Sequence, residues 1–134
     1  MSSIELNQFV RQTADELGFS KIGIAPAILD PLSEQKLSSW LNQNYHATMS
    51  WMDSRSSERS NILNYYPDAK SIISVGLNYF TGLSSNHKDV GKISNYAWGD
   101  DYHDIIKPRL YKLLSKIKFI DPKMDGVICV DTSP

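Results

Sequence analysis

Cysteine is nearly missing from this chain, with Cys129 alone among 134 residues. One thiol excludes an internal disulfide, and with three scattered histidines it leaves no spacing suited to a structural zinc or an iron–sulfur cluster. Long apolar runs are missing as well. No stretch approaches the ~20 residues of a membrane helix, and Met1-Ser2-Ser3-Ile4-Glu5 lacks the basic-then-apolar start of a secretory signal. The compartment to expect is the cytoplasm. An excess of either charge is lacking too: the formal net charge is −1, so no global field draws in phosphate. Any contact with RNA has to come from a local patch or from a part beyond this chain.

What is present suits one soluble domain with a single core, since 41% of residues are hydrophobic and 22% charged. Residues 3–17 set Leu6, Phe9, Val10, Ala14 and Leu17 on one helical face, and Gly18 suits a left-handed cap behind them. Lys21 to Pro26 reads as a short strand ended by proline. A second helix is expected from Ser33 as N-cap, with Leu37, Trp40 and Leu41 turned inward, closed by Asn42 to Tyr45. His46 to Asn64 suggests a short helix followed by a polar loop or helix. In it the run Arg55 to Ser60 reads as a solvated face, with RNA phosphates as the alternative.

Pro67-Asp68-Ala69 is a turn. Beyond it Lys70 to Phe80 is β-branched and almost continuously apolar, the pattern of a central strand covered on both faces. Thr81 to Val90 reads as a surface loop. Tyr102 to Lys118 has helical periodicity with Pro108 inside it, so a regular helix starts near Lys107 or the segment kinks there. Val127 to Val130 reads as another apolar strand, expected in one sheet with Ile22–Ala25 and Ser71–Tyr79. The fold class is therefore α/β, a mixed sheet flanked by helices. An end directly after a strand points to an incomplete fragment.

The run from Gly91 to Asp104 interleaves Tyr96, Trp98 and Tyr102 with Asp100, Asp101, His103 and Asp104. A connecting loop would be mostly small and polar residues, whereas large planar side chains among titratable groups suit a broad, flat, partly polar ligand. The rings could equally be core aromatics that staple a helix start; the carboxylates between them favour a half-exposed wall. His103 is open to reading as a metal ligand, a proton carrier or a structural residue. Asp131, placed where the last strand would end, is either a catalytic group or a turn cap. Arg59 is a solvated arginine or an oxygen-binding group, and Cys129 a small hydrophobe.

The stretch Tyr96-Ala97-Trp98-Gly99-Asp100-Asp101-Tyr102-His103 resembles the signature of the epoxyqueuosine reductase family. The likeness extends to Tyr45–Met52, to Pro67–Val75 and to Val130-Asp131-Thr132-Ser133-Pro134, in the family's order. The resemblance implies a cobalamin and [4Fe–4S] enzyme that reduces epoxyqueuosine in tRNA to queuosine, with this chain as the N-terminal part of its cobalamin-binding domain. It implies Asp131 as proton donor beside the corrin, where desolvation would help a general acid. It also implies Arg59, Ser94, Tyr96, Trp98, Asp101, Tyr102 and His103 as cofactor contacts, with no metal ligand among them. The cluster cysteines would lie in a ferredoxin-like domain beyond this chain. A corrinoid- or flavin-binding module without redox chemistry, and a cofactor-free RNA-contacting domain, are the alternatives.

Overall fold

The computed structural model describes residues 2–28, 30–83 and 91–131. Its helices are α1 (Ser3–Glu16), α2 (Pro31–Asn42), α3 (Ser50–Ser54), α4 (Ser56–Ser60), α5 (Ile62–Tyr65) and α6 (Tyr102–Ile120). Strands β1 (Lys21–Pro26) and β2 (Ser71–Gly76) form a small sheet, and a 3-10 turn spans Asn95–Ala97. Helices together with a small sheet agree with the expected α/β class. The described residues fall into two compact units, one of 2–23, 74–83 and 91–130, the other of 24–28, 30–73 and 131.

In the first unit α1 begins with a capping box. The Ser2 hydroxyl accepts from the Glu5 backbone N–H at 3.3 Å, and the Glu5 carboxylate accepts from the Ser2 N–H at 2.7 Å. Those bonds hold the Glu5 carboxyl below its usual range, the backbone one contributing most. The helix ends as Gly18 foretells. Gly18 N–H donates to the Asp15 carbonyl and Phe19 N–H to that of Ala14, with Gly18 at φ +81°, a Schellman motif whose apolar partners Ala14 and Phe19 are both buried. A Cβ on Gly18 would lie 3.0 Å from Nη1 of Arg109, which donates to the Gly18 carbonyl. Gly18→Ala is therefore expected to lower stability by about 1–2 kcal/mol, read from urea unfolding. An unchanged midpoint would contradict this account of the cap.

Helix α1 packs on α6, and Val10, Ala14, Phe19, Leu113, Ile117 and Val130 form the buried core of this unit around Thr13. Lys116 and Glu16 pair at 3.3 Å across the two helices. The start of α6 at Tyr102, not near Lys107, has a local cause: Asp101 caps it, accepting from the His103 N–H. Pro108 lies inside the helix and leaves the Asp104 carbonyl without its usual i+4 donor.

Three strand expectations need correction. β2 stops at Gly76 and, among the described residues, pairs only with β1, antiparallel, from Ser20 N–H to the Gly76 carbonyl through Ala27 N–H to the Lys70 carbonyl. Far from being central and covered on both faces, β2 has Ser71–Ser74 exposed, with Ile72 and Ile73 each 37% accessible. Residues 127–130 are irregular. Burial still alternates there, with Ile128 and Val130 turned in and Val127 and Cys129 out, but no described strand offers a ladder. Gly126 instead runs close to Leu114 of α6.

The second unit contains α2 to α5. Asp30, not Ser33, caps α2, because Pro31 supplies a first helical residue with no N–H and the Asp30 side chain accepts from Leu32 N–H and Ser33 Oγ. Leu41 is buried, with Leu37 and Trp40 partly so. α4 packs against α2 and α5, and Asn64 donates to Ser57 Oγ at 2.9 Å. The run Arg55 to Ser60 is thus not simply a solvated face: Ser56, Glu58, Arg59 and Ser60 are partly buried. Of the loop expected over 81–90, residues 84–90 lie outside the described residues, whereas Thr81, Gly82 and Leu83 are exposed.

Candidate functional site

Residues 91–104 form one local structure in the first unit. The Asn95 side chain donates to the Leu83 carbonyl at 3.3 Å, and Trp98 Nε1–H donates to the Ile93 carbonyl at 2.9 Å. These bonds fold the segment back on itself through the 3-10 turn, with Ser94 as the residue before it. The indole is thereby fixed in direction while 43% of Trp98 stays accessible, and Tyr96 is 51% accessible. Both rings are walls facing solvent, in contrast to Leu113 and Ile117.

The aromatics form a continuous ladder. Tyr79 meets Tyr96 edge to face at 6.1 Å and 74°, and Tyr96 meets Tyr102 at 6.1 Å and 76°. Tyr102 in turn stacks on the His103 ring at 4.3 Å and 26°. Asp101 Oδ1 lies 2.8 Å from His103 Nδ1 and accepts from the His103 backbone N–H at 2.9 Å. First the backbone bond and then the ring bond hold the Asp101 carboxyl below the usual carboxylate range. A part-exposed cluster of rings set at steep angles to one another thus ends on the Asp101–His103 pair, an arrangement able to bring ring faces and edges against a broad ligand.

Ser94, Tyr96, Trp98, Asp101, Tyr102 and His103 are therefore close together, largely because they are close in sequence. Tyr79 joins them although the apolar pattern of Lys70–Phe80 places it in a strand, because the strand stops at Gly76. Arg59 and Asp131 belong to the second unit. The Arg59 guanidinium lies 4.6 Å over the Trp51 ring, and its Nε is buried with no hydrogen-bond partner among the described residues. The same is true of His46 Nδ1, whose ring lies 6.0 Å from Trp40. Asp131 is exposed and adopts φ +49°, a left-handed conformation that Asp and Asn tolerate better than most residues. Cys129 is exposed, and among the described residues no group of three or more His, Cys, Asp or Glu could hold a metal ion.

Residues 59–132 match the family model described as "Epoxyqueuosine reductase QueG, DUF1730". An epoxyqueuosine reductase of Prochlorococcus marinus (strain NATL2A) is 38% identical over 98% of this chain and 42% of its own length. One from Cyclobacterium marinum is 36% identical over the whole chain and 44% of its own length. The solved structure of epoxyqueuosine reductase from Streptococcus thermophilus shares the fold at a TM-score of 0.69 and 25% identity, over 87% of this chain and 32% of that one. The chain spans roughly two fifths of the curated relatives it matches. Since the family model takes in more than half of the chain, with the aromatic segment and Asp131 inside the match, the chain belongs to the epoxyqueuosine reductase family.

Proposed function

We propose that residues 1–134 are the N-terminal, corrinoid-binding part of an enzyme that reduces the epoxide of epoxyqueuosine in tRNA to the alkene of queuosine. The observation that carries this reading is the solvent-facing aromatic ladder ending on Asp101 and His103, within the segment matched by the family model. A corrin is broad, flat and rimmed with amides, and Tyr96 and Trp98 offer open ring faces to such a group. The buried Nε of Arg59, a donor without an acceptor, would be satisfied by an amide or phosphate oxygen of the ligand. The residues present fit the cofactor. They do not fit an iron–sulfur cluster, which takes several thiolates where this chain has Cys129 alone. Clusters would be held outside these residues.

Removing the epoxide oxygen as water while forming the alkene takes two electrons and two protons. Cobalamin, when bound, supplies low-potential redox chemistry. The chain's own share is binding and proton delivery, taken unit by unit: in the first, Tyr96, Trp98 and Tyr102 offer rings with Ser94 beside them, and in the second, Arg59 is a donor for an oxygen and Asp131 the proton donor that the resemblance implies. No helix among the described residues is long and apolar enough to cross a membrane, and a tRNA substrate places the reaction in the cytoplasm.

Truncating the wall tests the reading. Tyr96→Ala and Trp98→Ala in the longer protein are expected to weaken cobalamin retention by roughly tenfold or more per ring, in proportion to lost stacking. Melting of the cofactor-free protein should change little, since both rings are about half accessible. The check is cobalamin absorbance retained through gel filtration beside a thermal melt. A large drop in melting temperature with retention unchanged would make these rings core and remove the wall.

A further inference from the structure

We propose that the outward face of α6 is the surface by which this chain holds the sugar–phosphate backbone of its tRNA substrate. This rests on the reading of the enzyme as one that acts on tRNA, and it adds the place where the polynucleotide lies. A chain of formal net charge −1 has no overall attraction for phosphate, so an RNA contact needs a local concentration of cations. Helix α6 supplies one. Within Tyr102–Ile120 it carries Lys107, Arg109, Lys112, Lys116 and Lys118 against a single acid, Asp104.

Packing decides which of these cations face outward. Leu113 and Ile117 turn one side of the helix into the core against α1, and Arg109 is held by the Gly18 carbonyl at 3.3 Å. Lys107, Lys112, Lys116 and Lys118 are exposed, along a strip ~16 Å long at the rise of an α-helix. Lys107 and Lys112 have no ion-pair partner among the described residues. Lys116 pairs with Glu16 at 3.3 Å and Lys118 with Asp125 at 3.0 Å, exposed pairs of a kind that contributes little and that a phosphate can replace. Tyr111, 61% accessible, and Phe119 stand among the lysines, and rings beside cations suit unpaired bases beside phosphates. A membrane surface would call for a broad apolar face, whereas these two rings are set apart among charges.

The test titrates the longer protein with epoxyqueuosine-containing tRNA over a range of salt concentrations. In Lys107→Gln/Lys112→Gln the affinity is expected to fall by roughly fivefold or more, and the slope of log affinity against log salt to shrink by about 1.4–1.8, as for two lost phosphate contacts. Lys107→Arg/Lys112→Arg keeps both charges and should bind as the parent does. Lys36→Gln/Lys70→Gln removes the same charge from exposed positions elsewhere and should leave the slope as it is. Tyr111→Ala is expected to lower affinity by about fivefold or more with the slope unchanged, since stacking releases no counterion.

Unchanged affinity and slope in Lys107→Gln/Lys112→Gln, or an equal fall in the Lys36 and Lys70 control, would overturn the proposal, and conversion of epoxyqueuosine by the parent would still leave the enzyme reading standing. Binding that depends on these lysines in a protein that converts nothing would support the surface while the enzyme reading failed. Two further outcomes would overturn it by assigning the face to another occupant. One is binding to phosphatidylcholine–phosphatidylserine vesicles that the Gln variant loses while its tRNA affinity is kept, which makes the face a membrane contact. The other is a lowered melting temperature with tRNA affinity kept, which makes it a contact within the longer protein.

Discussion

Asp131→Asn, made in the longer protein loaded with cobalamin, is expected to lower single-turnover reduction of epoxyqueuosine by about 10²–10⁴-fold, as loss of a general acid does. The substitution is conservative in every other respect. Asp131 stands at φ +49°, where asparagine is as tolerable as aspartate, and the amide keeps the shape and hydrogen-bonding reach of the carboxyl. Cobalamin absorbance and tRNA affinity should therefore match those of the parent. An Asn variant with normal turnover at full occupancy would leave Asp131 as a turn residue alone. Asp131→Val is the wrong control, because a β-branched residue in that conformation adds backbone strain of its own.

The second large effect concerns stability. Leu113 is 3% accessible in the α1–α6 core, so Leu113→Ala removes buried methyl groups and leaves a cavity. It is expected to cost about 2–5 kcal/mol, against ~1 kcal/mol or less for an exposed position such as Phe119, 86% accessible on the same helix. Chemical unfolding of both variants followed by circular dichroism makes the comparison. Equal losses at the two positions would contradict the core described here.

How much of this was legible in the sequence depended on how local the cause was. The cap of α1 at Gly18 is written in adjacent residues, and its bonds are the ones such a glycine makes. The pattern starts α2 at Ser33, later than the structure does, because Ser33 and Asp30 both cap well, and it is Pro31, with no N–H to satisfy, that decides between them. The apolar run of Ser71–Tyr79 signalled a buried central strand, but such a pattern reports only an affinity for cover, and pairing partners cannot be read from it. Within the described residues β2 has one neighbour and an exposed face. At 127–130 the same signal reads as an apolar strand, whereas the residues are irregular, with Ile128 and Val130 turned in and Val127 and Cys129 exposed.

The candidate site divides along the same line. Ser94 to His103 could be gathered from sequence because a 3-10 turn and a helix start bring near neighbours together. Tyr79 was beyond reach, since its contact with Tyr96 depends on where β2 stops. The placement of Arg59 over Trp51 depends on two short helices, α3 and α4, whose mutual angle has no signature in hydrophobic periodicity.

The central claim is that this aromatic segment serves a corrinoid enzyme acting on epoxyqueuosine in tRNA. The most direct measurement takes the longer protein with and without cobalamin, adds a low-potential reductant and epoxyqueuosine-containing tRNA, and quantifies the modified nucleosides by mass spectrometry. Conversion of epoxyqueuosine to queuosine only in the cobalamin-loaded sample, and its loss when Tyr96 and Trp98 are both alanine, is the result predicted. A folded protein that retains cobalamin and reductant yet leaves epoxyqueuosine intact, or one that converts it equally well without cobalamin, would contradict the account.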